Sequence, residues 1–178
     1  MDLLEETVVP EEARAVKQEA REFAEEHIEP NAHEYFQRGE YPMEILEAGM
    51  DAGLVAQDIG EEYGGRGFSL EQVLAIAEEF YKADAGIALS LQLASFGAEM
   101  LEDHGNEEQK EEFLRPVAEN EQITGLAVSE PQTGSDLAGM STTADKDGDE
   151  YVLNGEKYWI GNGVEADWVT VYAKTGDD

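Results

Sequence analysis

From Ala127 to Asp136 the chain reads Ala-Val-Ser-Glu-Pro-Gln-Thr-Gly-Ser-Asp, and this is the stretch whose residue order carries chemistry. Residues 123 to 129 are apolar or β-compatible and lack breakers, so they suit a buried strand. Pro131 then fixes one φ angle and pushes Glu130 towards an extended conformation, while Gly134 lets the chain turn with no Cβ in the way. Backbone N–H groups left free by such a turn, together with the hydroxyls of Ser129, Thr133 and Ser135, form a cradle for an anion, a diphosphate or the edge of a flavin. The same residues also make an ordinary turn after a strand, and turn chemistry by itself accounts for them.

The elements that must position this segment begin as helices. Pro10 followed by Glu11 and Glu12 is a helix start, with proline in the first turn and two carboxylates at the positive end of the macrodipole. Ala13, Val16, Ala20, Phe23, Ala24 and Ile28 then repeat as one buried stripe that should stop near Glu29-Pro30, with Tyr35 and Phe36 continuing the packing after a kink. A second helix starts around Pro42, turns Ile45, Leu46 and Met50 inward and ends at Gly53. Four glycines within Ile59–Phe68 mark a tight loop, in which Arg66 either holds a phosphate or simply belongs to a connector. Ser69 and Gln72 have the form of a capping box, opening a helix with Leu70, Val73, Leu74, Ala77, Phe80 and Tyr81 on its core side.

The next helix, about 86 to 103, carries no charge from Ala85 to Ala98 and is expected to be buried round most of its circumference. Gln92, Ser95 and Glu99 draw a narrow polar line along it. Either Ser95 bonds back to a backbone carbonyl and the others reach the rim, or the line faces a ligand cavity. His104-Gly105-Asn106 ends that helix and caps another, completed by Gln109 and carrying Phe113, Leu114 and Val117. Near residue 122 the period changes from helical to alternating, dividing the chain into an all-α part, 1–122, and a β part, 123–178. Ser141–Asp145, Tyr151–Leu153, Lys157–Ile160 and Trp168–Ala173 read as further strands, with a turn at Lys146–Asp149 and a hairpin signal at Asn154-Gly155. The fold class is α+β: an antiparallel helical bundle followed by an incomplete antiparallel β-barrel or sheet.

Composition narrows the partners. The 178 residues include 42 acidic and 11 basic side chains, a net charge of −31, which leaves too few cations to neutralise nucleic-acid phosphates. Hydrophobic residues make up 41% and recur with helical period, so the charge reads as a solvated coat on a folded core and not as disorder. Such a coat repels itself in dilute buffer and is screened at about 1 M salt, where the Debye length is roughly 3 Å, which fits a salt-rich cytoplasm; a surface for a basic partner is the competing reading. With no cysteine there are no disulfides or thiolate metal sites, and His27, His33 and His104 lack a tight ligand pattern. The acidic start Met1–Glu6 is unlike a signal peptide, and no stretch reaches the roughly 20 apolar residues of a membrane span, so a cytoplasmic location is expected.

The run Ala127–Asp136 closely resembles the signature of the acyl-CoA dehydrogenase family, a hydroxyl residue, Glu-Pro, a small pair, then Gly-Ser-Asp. The Glu61–Gly67 loop, Tyr151–Ile160 and Ala166-Asp167 resemble the family as well, so the likeness covers essentially the whole chain. It implies FAD bound between the two parts and dehydrogenation of an acyl-CoA at its α,β bond. By that likeness Leu126, Val128, Ser129, Gly134 and Ser135 contact the flavin, Ser135 also nears the substrate, and Trp159, Ile160 and Gly161 form a second flavin contact, the aromatic excluding water. The helix of Gln92 and Ser95 corresponds to one that lines the acyl pocket. The resemblance also implies an electron-transfer flavoprotein as redox partner and a homo-oligomer for the complete protein. Position 161 departs from the family, which usually has threonine there; Gly161 offers only its N–H. The family's C-terminal helical domain, home of the catalytic glutamate, is absent from these residues, so the chain is expected to be an N-terminal part, inactive alone; the alternative is a non-catalytic acyl-CoA-binding or subunit-interaction module. Anionic CoA binding is expected to strengthen as salt rises.

Overall fold

The computed structural model describes residues 9–176; Met1–Glu6 and the two closing aspartates lie outside the described residues. Helix α1 (Glu11–Phe23) follows Pro10 with Glu11 and Glu12 in its first turn. Its buried stripe of Ala13, Val16, Ala20 and Phe23 continues through Ala24 and Ile28, where the helix widens by one residue and the Glu29 N–H reaches the Ala24 carbonyl at 2.9 Å. After the short α2 (Ala32–Arg38), Phe36 points to solvent instead of continuing the packing, whereas Tyr35 rests on the core edge. In α3 (Met43–Asp51), Ile45 and Leu46 are buried as their spacing requires, and Met50 is half-buried.

Helix α4 (Leu70–Ala83) opens with the Ser69–Gln72 capping box, the Ser69 N–H donating to Gln72 Oε1 at 2.9 Å. Its core side is Ala75, Ile76, Glu79 and Phe80, not the side of Leu70, Leu74 and Tyr81, which is exposed. Two contacts with α1 select that orientation: the Phe23 and Phe80 rings meet at 5.4 Å, and Lys17 and Arg21 pair with Glu78 and Glu79. The apolar residues of α4 thus occupy two opposite faces, and α1 covers one.

The charge-free segment is not one helix. α5 (Ala85–Gln92) starts at Asp84, whose carboxylate accepts the N–H groups of Gly86 and Ile87, each at 2.9 Å, and it stops at Gln92. Residues 93–98 run as turns, with Gly97 at φ +102°, before α6 (Glu99–His104). The break has a cause in the β part. The Ala94 carbonyl accepts the Thr124 N–H and the Phe96 carbonyl accepts Thr124 Oγ1, both at 2.7 Å, so the turn is tied to β1 where a continued helix would have run on. Leu89 and Phe96 are partly exposed, so the segment is not buried all round. Asn106 and Gln109 form the reciprocal cap of α7 (Glu107–Gln109), which runs through a widened turn into α8 (Arg115–Ala118); Leu114 and Val117 are buried there.

Strand β1 (Thr124–Ala127) pairs in parallel with β4 (Trp168–Val171), Leu126 opposite Thr170. Asp167 sets this register: its N–H donates to the Ile123 carbonyl and its carboxylate accepts the Ile123 N–H, both at 2.8 Å. β2 (Thr143–Asp147) and β3 (Glu150–Asn154) form an antiparallel hairpin turned at Gly148. The expected run of four or five antiparallel strands is therefore replaced, among the described residues, by two two-stranded ladders bridged at Thr143 and Lys174, with no closed barrel. Neither a strand at Lys157–Ile160 nor a hairpin at Asn154-Gly155 forms. Gly155 packs so closely on Thr142 that a Cβ would overlap it, and the chain then leaves the ladder to carry Lys157 to the end of β1. Among the described residues no helix is long and apolar enough to cross a membrane.

Candidate functional site

The exit of β1 and the segment 157–163 come together. Tyr158 donates its N–H to the Ser129 carbonyl at 2.8 Å, and Lys157 Nζ donates to the Val128 carbonyl at 2.9 Å. Gly125 makes the approach possible: a Cβ there would stand 3.1 Å from the Gly161 carbonyl oxygen and 3.2 Å from Ile160 Cγ2. Further along, Asn162 Nδ2 donates to the Ser90 carbonyl of α5 at 2.9 Å. Between these anchors Trp159 is 90% exposed and sits at φ +60°. A non-glycine residue in that region costs about 1–2 kcal/mol, so the surrounding bonds impose it.

The signature loop is closed by Glu130 and Thr133, which exchange backbone hydrogen bonds of 2.8 and 3.2 Å around Pro131 and Gln132. Gly134 follows this turn and does not make it: its φ is outside the left-handed region, and a Cβ there would meet nothing within 4 Å. Thr133 Oγ1 donates to the Asp136 carbonyl at 2.5 Å, so it serves the loop. The hydroxyls of Ser129 and Ser135, and the N–H groups of Gly134, Ser135 and Gly161, have no partner among the described residues. Glu130 is the loop's centre. Its carboxylate accepts from Ser141 N and Oγ at 2.6 and 2.7 Å, Thr142 N at 2.9 Å, Gln132 Nε2 at 2.6 Å and Lys157 Nζ at 2.9 Å. Desolvation pushes this carboxyl up, but the hydrogen bonds from Thr142, Lys157 and Ser141 outweigh it and hold it well below the usual carboxylate range. A carboxylate so fully occupied is a structural acceptor and not a free base.

The sequence-derived residues are brought together unevenly. Ser129, Trp159, Ile160 and Gly161 lie at the junction, and Gly134 and Ser135 lie on the open loop beside it. Leu126 and Val128 are half-buried and alternate with Gly125 along the strand; Leu126 pairs with Thr170 of β4, and Val128 meets the arm through its carbonyl, which accepts from Lys157. The polar line of Gln92, Ser95 and Glu99 is broken with its helix: Gln92 ends α5, Ser95 lies in the turn, and Glu99 accepts the Gly97 N–H at 2.7 Å. The turn still reaches the site, because a Cβ on Gly161 would overlap Leu93 Cδ1, and Gln92 Nε2 is buried without a partner among the described residues. Gly125, Lys157 and Asn162 were missed from sequence. Gly125 carried a signal, since a glycine inside a strand often marks a close backbone approach; Lys157 and Asn162 carried none.

An exposed aromatic held beside free N–H donors, free hydroxyls and open space above a glycine suits a flat, anionic heterocyclic cofactor. The domain models of known families agree with that chemistry. Residues 10–121 match the N-terminal domain of acyl-CoA dehydrogenase and residues 125–178 match its middle domain, and the chain belongs to the acyl-CoA dehydrogenase family. It is 39% identical over 166 residues to the probable acyl-CoA dehydrogenase YngJ of Bacillus subtilis, covering 93% of this chain and 44% of that protein. It is 36% identical to the mitochondrial isovaleryl-CoA dehydrogenase of Bos taurus, covering 93% of this chain and 39% of that one. Among solved structures it is similar to a glutaryl-CoA dehydrogenase from Mycobacterium smegmatis in complex with FADH2, with a TM-score of 0.88 and 30% identity over 94% of this chain and 44% of the other. The chain thus spans less than half the length of these relatives.

Proposed function

We propose that the chain is the N-terminal and middle part of an FAD-dependent acyl-CoA dehydrogenase that removes hydrogens from the α and β carbons of an acyl thioester. The observation that carries this reading is the junction of the signature loop with the Trp159 arm. When bound, FAD supplies the two-electron acceptor for the hydride that leaves the β-carbon. The residues of this chain would bind and orient it: the exposed Trp159 ring would stack on it and exclude water, while the hydroxyls of Ser129 and Ser135 and the N–H groups of Gly134, Ser135 and Gly161 would supply hydrogen-bond donors. Ser135 also lies on the open side of the loop, where a thioester carbonyl would approach. The unpartnered Gln92 amide and Ser95 belong to the wall against which the acyl chain packs.

Glu130 is fully engaged and is not the base that takes the α-proton; we assign that base to the part of the protein that the relatives have and this chain does not span. An electron-transfer flavoprotein as acceptor, assembly into a homo-oligomer and a cytoplasmic, salt-rich setting belong to the same reading, the last supported by the net charge of −31. The test is titration of FAD in molar salt against this chain and against one extended to the length of its relatives. Saturable quenching of flavin fluorescence is expected, and its loss on Trp159→Ala. Absence of quenching with both chains overturns the flavin reading.

A further inference from the structure

We propose that Lys157, held by Glu130, is a positioning residue: the pair locks the Trp159 arm to the signature loop and so sets where the aromatic ring meets a flat cofactor. The proposal rests on the flavin reading for its ligand but on separate observations for its geometry. Both side chains are withdrawn from solvent, 7% exposed for Lys157 and 0% for Glu130, in a chain where most cations pair at the surface. Such a pair is a poor device for stability, since well-packed apolar residues do as well in the same space; its value lies in directionality. The directions are informative. Lys157 Nζ donates at 2.9 Å both to Glu130 Oε1 and to the Val128 carbonyl, two residues before Glu130. Glu130 uses its remaining capacity on Ser141, Thr142 and Gln132, so one carboxylate ties the two ends of the loop to each other and to the arm.

Two residues beyond Lys157, Trp159 stands at a left-handed φ with its ring in solvent, and it has little packing of its own to hold it. The neighbouring Tyr158 N–H donates to the Ser129 carbonyl at 2.8 Å, and Lys157 holds the strand exit one residue before it. A lysine with two acceptors, its side chain withdrawn from solvent, is what fixes that exit.

Three chains test this: wild type, Lys157→Met and Lys157→Arg. Without flavin, hydrogen exchange at the Tyr158 amide should be slow in wild type and about tenfold faster in Lys157→Met, the worth of one charge-assisted hydrogen bond, while Ile76 and Phe80 keep their protection. Lys157→Arg should restore part of the protection, because it retains charge and donors. With FAD, Lys157→Met should bind about tenfold more weakly, and at saturation its flavin should be less quenched because the ring is misplaced. A general loss of stability does not produce that last change. Tyr158 exchange within twofold of wild type in Lys157→Met, or flavin quenching at saturation equal to wild type, overturns the proposal. If wild type fails to bind FAD while Tyr158 exchange responds as described, the flavin reading falls and the anchoring role stands. If the variants do not fold, wild type decides: a Tyr158 amide exchanging as fast as the unbonded Gly161 amide overturns it, and a protected one supports it.

Discussion

The helical part and the β part are held together by different physics. The hydrophobic core runs from Val16 through Phe80 and Leu91 to Ile123, and beyond Ile123 only Trp168 among the described residues packs against it. The β part has little apolar interior: β3 is exposed along its whole length, and the buried groups of this part are small or polar, among them Ala127, Ala144, Thr124, Glu130 and Thr142. There the chain is placed by directed polar bonds, from Thr124 to the α5–α6 turn and from Glu130 to Lys157, Ser141 and Thr142. An apolar core tolerates adjustment but says little about orientation; a set of directed bonds positions loops but leaves apolar surface uncovered. A ligand site built where the two meet takes its rigidity from one and its geometry from the other.

The difference predicts how each part fails. The largest effect is expected from Phe80→Ala, a fully buried ring packed on Phe23, which should cost about 3–5 kcal/mol in urea unfolding and lower helical circular dichroism as a single transition. A loss under 1 kcal/mol would mean that the helices do not share one core. Next comes Gly125→Val. The branched side chain would press on the Gly161 carbonyl and Ile160, costing about 1–3 kcal/mol by overpacking and moving the arm, with helical content unchanged. Tryptophan emission should report the shift. Gly161→Thr is milder, about 1 kcal/mol, because its Cβ meets the flexible end of Leu93, and Leu93→Ala should relieve it; additive costs in the double variant would show that the two positions do not touch.

Where signals were local, the sequence was readable. The caps at Ser69–Gln72 and Asn106–Gln109, the start at Pro10 and the turn at Gly148 all rest on residues within a few positions of one another. The signature loop announced itself by residue order. What was hidden depended on distant partners. The break after Gln92 is imposed by Thr124, some thirty residues on, although Gly97 inside a helical pattern was a hint. The parallel pairing of β1 with β4 depends on Asp167 and Ile123, and the failure of the Asn154-Gly155 hairpin depends on Thr142 and Lys157. On α4, apolar residues on two faces gave no means of choosing which would meet α1.

A smaller effect separates the charged contacts of the two parts. Glu79 is buried between α1 and α4 and paired with Arg21 at 2.9 Å and Lys82 at 3.0 Å. Desolvation raises its pKa, but the hydrogen bonds from Arg21 and Lys82 prevail and lower it to about 2 from the ordinary 4.5. Because the folded value is depressed, the stability it supplies is complete above the ordinary value and is lost as pH falls from there towards about 2. Its partners reach solvent, so the contribution is about 1 kcal/mol after screening. Glu79→Gln should remove that part of the acid dependence of unfolding. An unchanged slope between these pH values would mean that the pairing of Glu79 with these two cations is not coupled to folding.

The smallest effect is the most telling for the β part. In β3, Tyr151, Val152 and Leu153 are all exposed, so Val152→Ser removes no buried contact and should change stability by no more than about 0.5 kcal/mol. A chemically similar truncation inside the helical core, such as Ile76→Ser, leaves a hydroxyl without a partner in a fully buried position and should be several times more damaging. The pair of variants, unfolded in urea at the same molar salt, measures the contrast directly. A loss above 1 kcal/mol at Val152 would require a cover on β3. That cover would be a second copy or another chain, and the loss would then depend on protein concentration. Independence from concentration would instead place the missing contacts within the β part itself and remove the contrast on which its description as a bond-directed, core-poor unit depends.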